Sequence, residues 1–277
     1  MSARNREFDY TKADFDILRK ISNSHSGIIV SDDKFDMFYS RLSKRVRMLG
    51  LQNFSEYCQY LQENQAIEFT EFINAITTNL TAFFREKHHF EYVKEVIVPE
   101  LLKRNQNDRQ ITVWSAGCST GEEPYSIAMT LLENLPANWT VRILATDLDT
   151  QVLQTASAGI YNDDRVSGLS EERLKRWFKK GRGANAHKVK VKPELQNIIK
   201  FKQLNLMQEW PMKGYFDFIF CRNVIIYFDQ ATKEQLVNRY SGLLAIGSHL
   251  LIGHSESLHK IETDFDLIGN TIYRKAR

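Results

Sequence analysis

Two textures of hydrophobic spacing divide the chain. From Tyr10 to about Lys103 apolar residues recur every three or four positions, as in Phe35, Phe38, Leu42, Val46 and Leu49, and Gly50 stands where that helix should end. Strand-like alternation is scarce there, so this part is predicted to be all-helical. After a polar stretch at 105–110, short apolar runs alternate with helical ones. They predict strands at 111–114, 141–145, 216–221 and 250–253, with helices at 122–135, after Asp149 and at about 232–244. Strand and helix in alternation predict an α/β domain with a parallel, doubly wound sheet. The runs 265–268 and 271–274, separated by Gly269-Asn270, predict a C-terminal antiparallel hairpin added to that sheet.

The alternation breaks between 161 and 201. A helix at about 170–178 leads into Lys179-Lys180-Gly181-Arg182-Gly183, and Lys188-Val189-Lys190-Val191-Lys192 then alternates with period two, the mark of a half-exposed strand. The expectation is a small β insertion at about 162–202, with Lys188, Lys190 and Lys192 on one face. The expected layout is a helical domain at 1–87, a linker helix at 88–105 and the α/β domain at 106–277.

Composition narrows the classes. A chain of 277 residues, 43% hydrophobic, is long enough to bury a large core. A net charge of +3 is too small to argue for nucleic acid, which asks for a dense basic patch. Cys58, Cys118 and Cys221 are odd in number and show no Cys-x-x-Cys spacing, so neither a disulfide framework nor a zinc site is expected, no metal-ligand cluster is read elsewhere in the chain, and a reducing, cytoplasmic setting fits. The charged stretch 1–12 has no apolar core of signal-peptide length and no later run reaches the length of a membrane span, so no membrane insertion is expected. His88-His89 reads as surface or packing and not as a ligand pair.

Three segments carry candidate chemistry. The first, Ser115-Ala116-Gly117-Cys118-Ser119-Thr120-Gly121-Glu122-Glu123-Pro124-Tyr125, puts two glycines between a strand and a helix, where backbone can approach a ligand closely. Its spacing is not the dinucleotide fingerprint, and Glu122 and Glu123 would repel a phosphate at the helix start. A cationic sulfonium cofactor without phosphate suits such a loop; equally, both glutamates can serve only to complement the helix dipole. The second, Ala145-Thr146-Asp147-Leu148-Asp149, ends a strand in an acid that can accept from two ribose hydroxyls or can cap the following helix. The third, 216–229, is a buried strand that delivers Arg222 and Asn223 to the same carboxyl edge of the sheet, with Tyr227 beyond them.

These segments, together with Thr77-Thr78-Asn79-Leu80-Thr81-Ala82-Phe83-Phe84-Arg85-Glu86 and Gly253-His254-Ser255-Glu256-Ser257, resemble the CheR-type chemotaxis receptor methyltransferases, over a span from about Phe15 to the C-terminus. The resemblance implies an all-helical N-terminal domain, a methyltransferase domain binding S-adenosylmethionine and a small β insertion. It further implies transfer of methyl groups to glutamate carboxylates of the cytoplasmic domains of chemotaxis receptors, by a monomeric protein. Carried over by motif, Asn79, Thr81, Arg85, Glu122, Asp147, Asn205, Leu206, Arg222 and Asn223 would contact the cofactor, and Arg222 and Tyr227 would serve methyl transfer. Some relatives tether to a receptor's C-terminal pentapeptide through the β insertion, and Gly181 and Gly183 fit that pattern. Lys180, Lys190 and Lys192 stand where arginines would be expected.

The helix bearing Lys34, Arg41, Lys44, Arg45 and Arg47 is expected to hold its charges opposite the apolar stripe, either as a solvated face or as a dock for acidic receptor helices. Two other classes compete. Gly253-His254-Ser255-Glu256-Ser257 prompts an α/β-hydrolase, but Ser257 occupies the place of the elbow's second glycine. A nucleic-acid methyltransferase would share the sheet, yet the common Pro-Cys and Asn-Pro-Pro-Tyr signals are missing.

Overall fold

The computed structural model describes residues 6–277; positions 1–5 of the charged N-terminal stretch lie outside the described residues. The chain divides into two units, one of Met1–Thr78 with Tyr227–Asp229, the other of Asn79–Ile226 with Gln230–Arg277.

The first unit is helical. It contains α1 (Lys12–Ser26), α2 (Phe35–Met48), α3 (Phe54–Glu63) and α4 (Gln65–Ile76). Thr11 and Asp14 cap α1 reciprocally, each side chain accepting from the other's backbone N–H, and Gly27 ends the helix in the left-handed region. Phe15, Leu18, Phe38, Leu42, Phe54, Leu61 and Phe72 form a core closed to solvent. The Ile29 N–H donates to the Tyr227 carbonyl at 2.8 Å, which explains why 227–229 groups here.

The basic face expected on α2 is mostly taken up inside this unit. Arg45 forks onto Glu68 at 2.9 and 2.5 Å, and Glu68 is only 1% exposed. Arg41 donates to the Ile76 and Thr77 carbonyls at 2.7 and 2.6 Å, so it holds the C-terminal end of α4. Arg47 pairs with Glu7, and Lys34 with Asp33. Only Lys44 remains exposed with no ion pair among the described residues. The charge pattern was visible, but the apolar periodicity could not show that α4 supplies a buried acid.

The first helix of the second unit is α5 (Lys87–Tyr92), which runs through a π turn at Val93–Ile97 into α6 (Val98–Arg104). Its α/β part contains β1 (Gln110–Ala116), α7 (Glu122–Asn134), β2 (Thr140–Asp147) and α8 (Thr150–Ala158). After these come β3 (Ile160–Asn162), α9 (Glu171–Trp177), β4 (Phe178–Lys180), β5 (Lys188–Val191), α10 (Pro193–Gln196) and β6 (Ile199–Gln203). The chain closes with β7 (Phe216–Cys221), α11 (Gln230–Ser241), β8 (Leu244–Ile252), β9 (Phe265–Gly269) and β10 (Ile272–Lys275). The main sheet has the order β6-β2-β1-β7-β8-β10-β9, parallel from β6 to β8 and closed by the antiparallel β9-β10 hairpin. The chain leaves β1 toward β2 on one side and returns as β7 on the other, so the switch point lies at the carboxyl end of β1. Trp114, Phe218, Phe220, Tyr125 and Leu251 are fully buried against it.

Two boundaries differ from the expected layout. Residues 79–87 go with the sheet, because the Asn79 amide bonds Asp149 and the Phe84 N–H bonds the Ser126 hydroxyl. The insertion is a three-stranded sheet of order β3-β5-β4 that ends before Ile199. The next run, Ile199–Gln203, is β6 and pairs parallel with β2 in the main sheet. Its Ile-Lys-Phe-Lys alternation looks like a continuation of β5, and local spacing holds no sign that it changes sheets. Within β5, Val189 and Val191 are buried and Lys190 is exposed, as period two requires.

Candidate active site

The carboxyl ends of β1, β2 and β7 carry the candidate residues. After β1 the chain turns through residues 117–121 into α7. Gly117 (φ +88°) and Gly121 (φ +97°) are left-handed, and a Cβ at Gly117 would stand 2.2 Å from Val224 Cγ2. Ser119 is also left-handed (φ 48°). The loop is tied down by Gly117 and Cys118 N–H bonds to the Thr146 carbonyl at 2.8 and 2.9 Å, and by the Ser119 N–H to Asp147 Oδ2 at 2.8 Å.

Asp147 ends β2. Its second oxygen accepts from the Asp149 N–H at 3.0 Å. Asp149 is the N-cap of α8, accepting from Gln151 and Val152 at 2.8 and 3.2 Å, and the Asn79 amide donates to its other oxygen at 2.7 Å. The cap of α8 is therefore Asp149 and not Asp147. Burial pushes the Asp147 carboxyl up to about 6, against the pull of its backbone donors. The side chain nevertheless keeps part of its surface open to solvent, because residue exposure is intermediate.

Glu122 and Glu123 are buried for separate reasons. Glu122 pairs with Arg165 from the turn after β3, and the Thr120 hydroxyl donates to it at 2.6 Å. Glu123 accepts from the Ser115 hydroxyl at 2.7 Å and lies 3.4 Å from Arg222 Nη1. Burial raises the Glu123 carboxyl despite those two partners.

Arg222, 5% exposed, is surrounded by acceptors: Glu123, Glu86 at 3.2 Å and the Arg85 carbonyl at 2.5 Å. Burial alone would raise the Glu86 carboxyl, but the Arg222 guanidinium and the His254 N–H hold it below its ordinary value. Asn223 is left-handed (φ 58°), and its loop is clamped by buried Glu256, whose carboxylate accepts the N–H groups of Asn223, Val224, Ile226 and Gly253. That clamp is what the Gly253–Ser257 motif builds. Ser255 and Ser257 are exposed, and the Ser257 hydroxyl accepts only the His259 N–H, which leaves the hydrolase reading without a nucleophile.

The remaining sequence candidates divide. Asn79 is joined to the loop directly, its carbonyl accepting from the Ser119 hydroxyl at 2.9 Å. Arg85 donates to the Leu80 carbonyl at 2.9 Å and so shapes the 80–85 turn that contains Thr81. Asn205 follows β6, where the Leu204 N–H donates to the Asp147 carbonyl at 2.9 Å; its side chain accepts from the Met207 N–H, and the Leu206 carbonyl accepts from Arg239. Tyr227 belongs to the helical unit. Sequence reasoning missed Arg165 and Glu86. The one signal for Arg165 was a lone cation after Asp163-Asp164, and Glu86 lay unremarked at the end of a quoted motif.

Four acids around a glycine loop, Glu122, Glu123, Asp147 and Asp149, suit a positively charged nucleoside better than a phosphate ester. The comparisons with known proteins agree. Residues 79–274 match the CheR methyltransferase, SAM binding domain, and residues 13–77 match the CheR methyltransferase, all-alpha domain. The chain is 42% identical to a chemotaxis protein methyltransferase of Escherichia coli, over 96% of this chain and 91% of that protein. It is 42% identical to chemotaxis protein methyltransferase 2 of Pseudomonas aeruginosa, over 98% and 96%. A probable chemotaxis protein methyltransferase of Rhizobium etli is 43% identical over 91% and 95%. The chain belongs to the CheR family of S-adenosylmethionine-dependent methyltransferases.

Proposed function

We propose that this protein methylates glutamate side-chain carboxylates of chemotaxis receptors. The observation that carries the reading is Asp147: released from capping by Asp149, it faces the 117–121 loop at the switch point, where a ribose diol can be held. When bound, S-adenosylmethionine would supply an electrophilic methyl group, its S–CH3 bond breaking as an acceptor oxygen takes the methyl and the neutral thioether S-adenosylhomocysteine leaves. Asp147 is the acceptor for the ribose hydroxyls. Asn205 and Leu206 would border the adenine, and Asn79, Thr81, Arg85 and Asn223 would complete the enclosure. Asp147 and Asp149 add negative charge beside the loop, whereas Glu122 and Glu123 are ion-paired with Arg165 and Arg222.

A glutamate acceptor has an unperturbed pKa of about 4.3 and is ionised at neutral pH, so no general base is needed. Alignment is the chief task, worth up to roughly 7–11 kcal/mol in favourable intramolecular cases. Tyr227 is assigned to methyl transfer on its sequence motif alone. Arg222 is assigned as a positioning residue, since its charge is already matched by Glu86 and Glu123 and it fixes the 85–86 turn against the end of β7. Lys44 on α2 is the cation available for acidic receptor helices. Capture of a receptor pentapeptide would use the edge of the β3-β5-β4 sheet. Lys180 on the edge strand β4 offers a point charge there, and Lys190 lies on the central strand β5, both without the fork with which arginine grips a carboxylate.

Receptor-rich membranes incubated with the protein and methyl-labelled cofactor test the reading. Label should enter the receptor band and leave it as volatile product in mild base. Label that stays in base, or none, would overturn the carboxylate assignment.

A further inference from the structure

Three acceptor groups meet at the start of α5. Glu86 is its N-cap, in the left-handed region (φ 57°), and His88 and His89 follow in the first turn. Each of the three offers a ligand atom within 4.8 Å of the other two. His89 is fully enclosed, with Nε2 3.0 Å from the Asn270 carbonyl and 3.1 Å from the Thr271 hydroxyl. A carbonyl only accepts, so this contact assigns the ring proton to Nε2 and leaves a lone pair on Nδ1. That lone pair lies 3.5 Å from Glu86 Oε2 and has no hydrogen-bond partner. His88 Nε2 is likewise buried without a partner. A carboxylate and two imidazoles thus lie within reach of one another, with His89 Nδ1 and His88 Nε2 unpartnered.

We propose that Glu86, His88 and His89 form a binding site for a divalent transition-metal ion of the zinc class, through a Glu86 oxygen, His88 Nε2 and His89 Nδ1. Two imidazoles and one carboxylate are a known zinc donor set, and a metal-bound histidine usually gives its other N–H to a backbone carbonyl, as His89 does to Asn270. With metal–ligand lengths of about 2.0–2.2 Å, ligand atoms on a tetrahedral ion lie about 3.3–3.5 Å apart. The Glu86 and His89 atoms already have that separation, and the His88 ligand atom lies within 4.8 Å of both. The His254 N–H, 3.1 Å from Glu86 Oε2, orients the carboxylate. Arg222 beside the same oxygen opposes a second cation, and Glu123 on its other side offsets that opposition. The proposal does not depend on which acceptor the enzyme methylates.

Equilibrium dialysis of untagged full-length protein against zinc chloride, followed by elemental analysis, tests it, with Co2+ absorption as a second readout. One retained equivalent is expected, with the visible bands of a tetrahedral nitrogen–oxygen site and without intense thiolate charge transfer. His88→Ala should bind zinc at least about 10-fold more weakly, since even outer-shell changes at zinc sites cost that much. Retained heat of binding for S-adenosylhomocysteine shows that the variant is folded, and His88→Gln should repeat the loss. Wild-type protein that retains no zinc, or folded His88 variants that bind it as tightly as wild type, would overturn the proposal.

Discussion

The Asp149 N–H donates to Asp147 Oδ1 at 3.0 Å while the Asp149 carboxylate caps α8. The two acids thereby separate tasks that one alone would have to share. Asp147→Asn should weaken S-adenosylhomocysteine binding about 10- to 100-fold, because hydrogen bonds to a charged group contribute about 1.5–3 kcal/mol. Asp149→Asn keeps a cap oxygen but, at a buried position, turns an amide NH2 toward the Asn79 amide donor, so it should lower Tm while acting on cofactor affinity less than Asp147→Asn does. Calorimetric titration of both variants, with thermal melts as the control, checks the division.

The raised Asp147 carboxyl gives cofactor binding a pH dependence of known sign. Its ordinary value is 3.8 and burial brings it to about 6, so the carboxylate that accepts the ribose hydroxyls is present above pH 6 and is lost below it. Affinity should be flat from pH 8 to about 6.5 and then fall about tenfold per unit at lower pH. The fold moves the other way with respect to this group. A carboxyl raised on folding contributes stability that is fully present below its unfolded value and lost as pH rises through the folded one, so acid weakening of binding is not this residue unfolding the protein. Asp147→Asn should flatten the binding profile between pH 5 and 7; an unchanged slope would assign the titration elsewhere.

Glu256 accepts four backbone N–H groups, and three of them belong to the loop after β7. Glu256→Gln replaces one acceptor oxygen by a donor, which leaves buried N–H groups facing an amide NH2. At about 1–3 kcal/mol for each unsatisfied group, a loss of about 2 kcal/mol or more is expected in denaturant unfolding. Methyl transfer should fall with it, because left-handed Asn223 and the end of the Arg222 strand rest on this clamp.

The strand-helix alternation and the carboxyl-edge placement of residues 117–121, Asp147 and Arg222 were legible because periodicity and strand ends are local properties of sequence. The reach of β6 into the main sheet was not, since an alternating run carries no label for the sheet it joins. The same limit hid the pairing of Glu122 with Arg165, 43 positions apart, and of Arg45 with Glu68. A charge written in the chain shows what can bond, and the fold decides with what.

Gly117 tests how closely the loop is built. Its φ of +88° is costly for any side chain, and an added methyl would overlap Val224 Cγ2 at 2.2 Å. Gly117→Ala should therefore displace the 117–121 loop or the 223–224 turn, lower Tm and reduce cofactor affinity together. Gly183, also left-handed but with open space around it, serves as the comparison: Gly183→Ala carries only the conformational cost, about 1 kcal/mol, and should leave cofactor affinity alone.

Receptor docking and internal support can be told apart on α2. Arg45 neutralises Glu68, an acid 1% exposed that also accepts from the Tyr57 hydroxyl at 3.0 Å. Removing one partner of a buried pair costs about 3–5 kcal/mol, so Arg45→Met should lower the unfolding midpoint sharply, and any loss of receptor methylation would follow from that. Lys44→Glu should leave the unfolding midpoint and cofactor affinity within error of wild type. If α2 meets an acidic receptor surface, it should raise the KM for receptor and flatten its salt dependence, since an exposed charge acts through a screened field. Unchanged KM and salt dependence in Lys44→Glu would mean that the basic residues of α2 serve the helical unit and not the receptor.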